Sequence, residues 1–133
     1  KSELSDLSRI NLTDSSDEII NKIRKAKTDP LPMPSNNEEL GKRPEAKNLI
    51  GIYSSLTGLT FEKSINEFSG RNFSEFKEKL SQVLVEKISP ISKEIKKLLV
   101  EKNFLDEILD EGYEKANKIA SVKLKKIHEI MGF

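Results

Sequence analysis

The chain has 133 residues, with 23 Lys and Arg against 22 Asp and Glu, one His and no Cys. Without Cys there is no disulfide framework and no thiolate metal site, which fits a reducing cytoplasm as the expected location. A net charge of +1 excludes a surface that grips nucleic acid all over, so any RNA contact has to be local.

Residues 1–14 read as a polar connector with a brief extended piece at Ile10-Asn11-Leu12. The stretch "DSSDEIINKIRKAK" then starts a helix. Ser15 can cap the free amides while Glu18 reaches back to complete a capping box. Ile19, Ile20, Ile23 and Ala26 follow at helical spacing and give one apolar stripe. Pro30, Pro32 and Pro34 stop that helix and make "TDPLPMPSNNEELGK" an extended loop.

Pro44 suits the first turn of the next helix, where its missing N–H costs nothing. Ala46, Leu49, Ile50, Tyr53 and Leu56 form its apolar face, and Gly58 ends it. Thr60 caps a short helix carrying Phe61, Ile65 and Phe68, which Gly70 closes. A long pattern opens with Asn72 and Glu75 as a second capping box and runs from Phe73 to Leu99. Pro90 lies inside it, which predicts a kink or break near Ile88-Ser89.

The last segment starts at an Asn103 cap and stays periodic to Met131. At 1.5 Å per residue it spans roughly 42 Å, more than the width of about 36 Å expected for a compact domain of this size. Part of its stripe therefore needs a partner, with Ile119, Leu124, Ile127, Met131 and Phe133 expected in that contact. No alternating strand pattern exceeds three residues. The fold class is all-α: an irregular helical bundle of five or six helices with a long C-terminal helix. No apolar run approaches the roughly 18 residues of a membrane span, so no membrane partner is expected. The single histidine, His128, rules out a His-based metal cluster.

The order of motifs, above all "LTDSSDEIINKIRKAKTD" (residues 12–29) and "KRPEAKNLIGIY" (residues 42–53), resembles the C-terminal part of bacterial-type tryptophanyl-tRNA synthetases. These class I enzymes end their nucleotide-binding fold in a Lys-Met-Ser-Lys-Ser loop, and Lys1 and Ser2 match its last two residues. The resemblance implies that residues 1–14 are the end of that loop and a connector. Residues 15–133 would then be a helical, anticodon-binding domain. The family commonly has Asp-Pro after the loop, where this chain has Glu3-Leu4.

The implied parent enzyme is a tryptophan–tRNA ligase, with ATP and Mg2+ as substrate and tRNA(Trp) as partner, and a homodimer. Lys1 would be its catalytic, ATP-binding lysine, following the pyrophosphate as charge builds, with Ser2 as a further ATP contact. Without the catalytic nucleotide-binding domain this stretch should be inactive and hold no cofactor or metal; no DNA is expected. In the family the end of the first helix and the loop after it face the anticodon, which here means Lys25, Lys27, Thr28 and Asp29. Lysines offer salt-sensitive phosphate attraction, and Thr or Asp can read a base edge. Cations at the end of a helix also offset its dipole, and that alternative applies to Arg24, Lys25 and Lys27. Lys115, Lys118, Lys125 and Lys126 form a second candidate ridge, more simply read as a solvated face. The rival to a synthetase is a stand-alone helical interaction or scaffold module without catalysis.

Overall fold

The computed structural model describes residues 5–132, so Lys1, Ser2, Glu3, Leu4 and Phe133 lie outside the described residues. Among the described residues there are six α-helices, one short 3-10 turn and no strand. The chain divides into two units, residues 1–93 and 94–133.

In the first unit a 3-10 turn, Asp6–Ser8, stands where the sequence suggested only a connector. It is tied to α1 (Ser16–Lys25) by a buried lysine. Lys22 Nζ lies 2.7 Å from both Asp6 and Asp14. Asp14 also accepts from the Asn11 backbone amide at 2.8 Å and from its side-chain amide at 3.2 Å. Burial alone would raise the Asp14 carboxyl, but the Lys22 ammonium and the Asn11 donors outweigh it and hold it below its ordinary range. Asp6, bonded first to Lys22 and then to Asn11, is lowered to about 2. Burial would likewise lower Lys22, and its two carboxylates outweigh that and raise it.

The Ser15–Glu18 capping box forms as expected, so α1 begins where the sequence indicates. Ile19 and Ile23 face the core, whereas Ile20 is exposed. The Pro-rich loop is not wholly extended. Asn36 caps a short helix, α2 (Asn37–Gly41), whose Leu40 is buried. That helix was hidden because its only apolar anchor is one residue, too few for a periodic signal. The loop before it is pinned to the turn at Gly70-Arg71: Met33 donates to Arg71 at 2.8 Å and accepts from Gly70 at 3.1 Å.

Helix α3 (Pro44–Thr57) has Pro44 in its first turn and ends at Gly58, whose φ of 74° suits glycine. Helix α4 (Phe61–Phe68) starts at Thr60, whose hydroxyl accepts from the Lys63 amide. Phe61 is exposed; its ring covers Gly51 of α3 and would sit 3.3 Å from a Cβ there. Tyr53, Phe68 and Phe76 meet edge to face, with centroids 4.9 to 5.9 Å apart, and form the centre of the core. The Tyr53 hydroxyl donates to Glu67, and burial followed by that carboxylate pushes it up to about 12.

Helix α5 (Phe73–Val100) supplies Phe76, Leu80, Leu84 and Ile88 to the same core. It does not break at Ile88-Ser89. The helix continues through Pro90, and the boundary between the two units falls within it, at Lys93 and Glu94. Ser89 is half-buried and shares a 3.3 Å hydrogen bond with Ser16 of α1, which anchors the turn before the proline. The second unit contains α6 (Lys102–Met131), which begins one residue before the expected cap. Glu101 precedes it without a side-chain cap bond.

Candidate nucleic-acid interface

Helix α1 ends on a cationic turn. Lys25 is its last residue, and the chain leaves it at Ala26 with an extended backbone. The free carbonyls of this end take a donor from another helix: Lys77 Nζ of α5 donates to Ala26 at 2.6 Å and to Arg24 at 3.3 Å. Burial holds the Lys77 ammonium below its ordinary range. Lys77 thus does what a C-cap motif does in other helices, from 51 residues away.

The loop that follows is held by one arginine. Arg43 donates from Nε to Asp29 at 2.8 Å and from a terminal nitrogen at 2.6 Å, a planar two-bond fork. Its remaining donors reach the carbonyls of Pro32 at 2.7 Å and Leu31 at 3.3 Å. Its guanidinium carbon lies 5.4 Å from the centre of the Phe73 ring. Asp29 in turn accepts from the Leu31 amide at 3.0 Å. The Arg43 guanidinium holds the Asp29 carboxyl below the usual carboxylate range.

The four residues read from the sequence therefore stand side by side in two different settings. Lys25 and Lys27 are exposed; Thr28 and Asp29 are half-buried. Lys27 faces Glu45 at 3.4 Å, with its own side chain 86% exposed. Thr28 opens onto a groove between α1 and α5, where Ile20 and Arg24 face Lys77, Ser81 and Val85. Glu45 sits in the first turn of α3, where an acid suits the positive end of the helix dipole. Arg43 precedes that helix but makes no capping bond; its side chain serves the loop.

Sequence reasoning missed Arg43 as the loop's clamp and Lys77 as the cap of α1. Only the pairing of opposite charges 14 positions apart, around a proline-rich stretch, could have hinted at the first. Lys115, on the second candidate ridge, pairs with Glu111 one turn earlier on its own helix. Among the described residues no group of three His, Cys, Asp or Glu side chains gathers as a metal site. No described helix is long and apolar enough to cross a membrane.

No protein-family model matches the chain. Along its whole length, however, it is similar to curated tryptophan–tRNA ligases. It is 46% identical to that of Rhizobium meliloti over 133 residues, which is all of this chain and 38% of the relative. The identity is 42% to the ligase of Caulobacter vibrioides, covering 39% of it, and 43% to that of Rickettsia felis, covering 40%. The chain thus spans about two-fifths of the length of these relatives, and the resemblance seen in residues 12–29 and 42–53 extends over all of it.

Proposed function

We propose that this chain is the C-terminal helical part of a tryptophan–tRNA ligase, and that the end of α1 with the loop after it meets the tRNA anticodon. The observation that carries the reading is the similarity of the entire chain to tryptophan–tRNA ligases, joined to a cationic helix end whose following loop is held in place by Arg43. The Arg43 fork and the Met33 backbone pair hold the loop in place, so little ordering remains to be done on binding. Lys25 is open to a phosphate. Lys27 is engaged only by an exposed, long ion pair, which contributes little and can be exchanged for a phosphate contact. Thr28 lines the groove between α1 and α5. Asp29 acts by fixing the loop, since Arg43 and the Leu31 amide take up both of its oxygens.

In the longer enzyme, tryptophan attacks the α-phosphate of ATP, which arrives with Mg2+, forming the adenylate and releasing pyrophosphate. The terminal ribose hydroxyl of the tRNA then attacks the activated carbonyl and displaces AMP. Lys1, as the penultimate residue of the signature loop, supplies a mobile point charge to the pyrophosphate, and Ser2 a further contact. This stretch by itself carries out neither step. The enzyme works in the cytoplasm as a homodimer.

Aminoacylation by the full-length gene product, assayed with each amino acid, tests the reading: tryptophan alone should be transferred. Charging of another amino acid would assign a different ligase specificity, and charging of none would favour the stand-alone helical module. Replacing Lys25 and Lys27 with Ala should weaken tRNA binding and reduce the slope of log affinity against log salt by about 1 to 2. Adenylate formation should continue unchanged. A larger loss on changing Lys115 and Lys118 would move the RNA surface to α6.

A further inference from the structure

A phosphate contact at the end of α1 meets an unfavourable field. Aligned peptide dipoles leave about half a negative charge on the carbonyls of a helix's C-terminal turn. Lys25 is the last residue of α1, so a phosphate drawn to Lys25 and Lys27 also approaches those carbonyls. Within a Debye length of about 8 Å that repulsion is only partly screened. Helices α3 and α6 close their last turns on a left-handed glycine, Gly58 and Gly132, with φ of 74° and 79°. Helix α1 has no such glycine. Ala26 leads the chain away at φ −55° and ψ 134°, which leaves carbonyls open to a donor from elsewhere.

That donor is charged. The half-buried Lys77 places its Nζ 2.6 Å from the Ala26 carbonyl and 3.3 Å from that of Arg24, the residues on either side of Lys25. Among the described residues no carboxylate pairs with Lys77, so the helix end is what its charge faces. One turn earlier on the same side of α5, Phe73 lies 5.4 Å from the Arg43 guanidinium, which holds Asp29. The first turns of α5 therefore fix both ends of the segment that carries Lys27 and Thr28. Lys77 secures it at Ala26, and Phe73 with Arg43 secures it at Asp29.

We propose that Lys77 is a positioning residue for RNA: its ammonium, held on the Ala26 and Arg24 carbonyls, cancels the negative end of α1 and so lets a phosphate reach Lys25 and Lys27. Lys77 acts through those two lysines and makes no phosphate contact of its own. The inference rests on the reading of this helix end as the tRNA contact. It adds the group that makes such a contact electrostatically workable at a helix C-terminus.

The test measures binding of tRNA(Trp) to the full-length enzyme at low and high salt. Lys77→Gln keeps a hydrogen-bond donor and loses the charge, whereas Lys77→Arg keeps both. The Gln variant should bind about fivefold more weakly at low salt, with a smaller loss at high salt, and the Arg variant should stay within about twofold of wild type. Lys77→Met, which loses donor and charge together, should lose at least as much as Gln. Unfolding temperatures check that the variants fold, and if Met does not, the comparison of Gln with Arg decides. Combining Lys77→Gln with Lys25→Ala/Lys27→Ala should cost less than the product of the separate losses, because Lys77 acts through those lysines. A full product would make Lys77 an independent phosphate contact and overturn the positioning role. Wild-type affinity in Lys77→Gln, alongside weak binding in Lys25→Ala/Lys27→Ala, would overturn this inference alone. If neither set changes binding, the RNA reading of this helix end fails and the inference falls with it.

Discussion

Lys22 is 6% exposed and sits between two carboxylates, so its removal leaves Asp14, itself 7% exposed, without its counter-charge. Lys22→Met should destabilise the first unit by about 3 kcal/mol at neutral pH. The pH dependence follows from the directions of the shifts. Asp6 and Asp14 are lowered, so their stabilisation is complete above the ordinary carboxyl value of 3.8 and is lost as pH falls through the folded values, for Asp6 between about 4 and about 2. Lys22 is raised, so its share is present below 10.5 and lost as pH rises through its folded value. The cost of Lys22→Met should therefore shrink by pH 3, where the wild type is losing the same interaction. Exchange of the Ile19 and Ile23 amides reads this directly, and a cost that stays constant between pH 3 and 7 would contradict the ion-pair account. Arg43→Lys makes a second residue-scale test. It keeps the charge and loses the fork to Asp29, and should cost about 1.5 kcal/mol, with much faster exchange at the Leu31 amide. Neither network was legible in the sequence. Each depends on side chains converging from separate segments, whereas sequence periodicity reports only which face of a helix is apolar.

Helix ends were the most legible elements, because a cap is a local interaction between residues three or four apart. Ser15–Glu18, Pro44, Gly58 and Thr60 all stand where their chemistry places them. Asn36 follows the same rule, but its helix of five residues lay inside a proline-rich run that reads as extended. Pro90 lies within its helix without breaking it. A proline removes one backbone donor, here the one that would serve the Glu86 carbonyl, at a cost of about 3 kcal/mol in a helix interior. Leu84 and Ile88 packed before it, with Ser89 bonded to Ser16, hold the helix through that gap. Pro90 is exposed, so Pro90→Ala should restore the missing bond without disturbing the core and stabilise α5 by up to about 3 kcal/mol. Slower amide exchange over residues 88–93 and a higher unfolding temperature are the measurements. A lower unfolding temperature would show that the proline sets a bend the fold requires.

At the scale of the whole molecule, the charge is near neutral and the apolar stripe of α6 is exposed, while the motifs in residues 12–29 and 42–53 belong to a similarity to tryptophan–tRNA ligases that runs the length of the chain. The two agree if this chain is one part of a longer ligase, as its span of 38% of the Rhizobium meliloti relative suggests. The similarity to tryptophan–tRNA ligases was legible because those motifs are local strings. The candidate interface was only half legible: Lys25 and Lys27 could be named as exposed cations, but not the Arg43 clamp that holds the loop beside them. The proposed link between this helical part and catalysis runs through Lys1, which matches the signature loop by sequence. Adenylate formation builds negative charge on the departing pyrophosphate, and a lysine that follows it stabilises the transition state more than the ground state. In the full-length enzyme, Lys1→Ala should slow tryptophan-dependent pyrophosphate exchange by about 10²-fold, on the order of 3 kcal/mol of transition-state stabilisation, with tryptophan affinity nearly unchanged. The 133-residue chain alone should give no exchange above a heat-killed control. A normal rate in the variant together with collapsed tryptophan binding would place Lys1 in the amino-acid pocket, away from the phosphates.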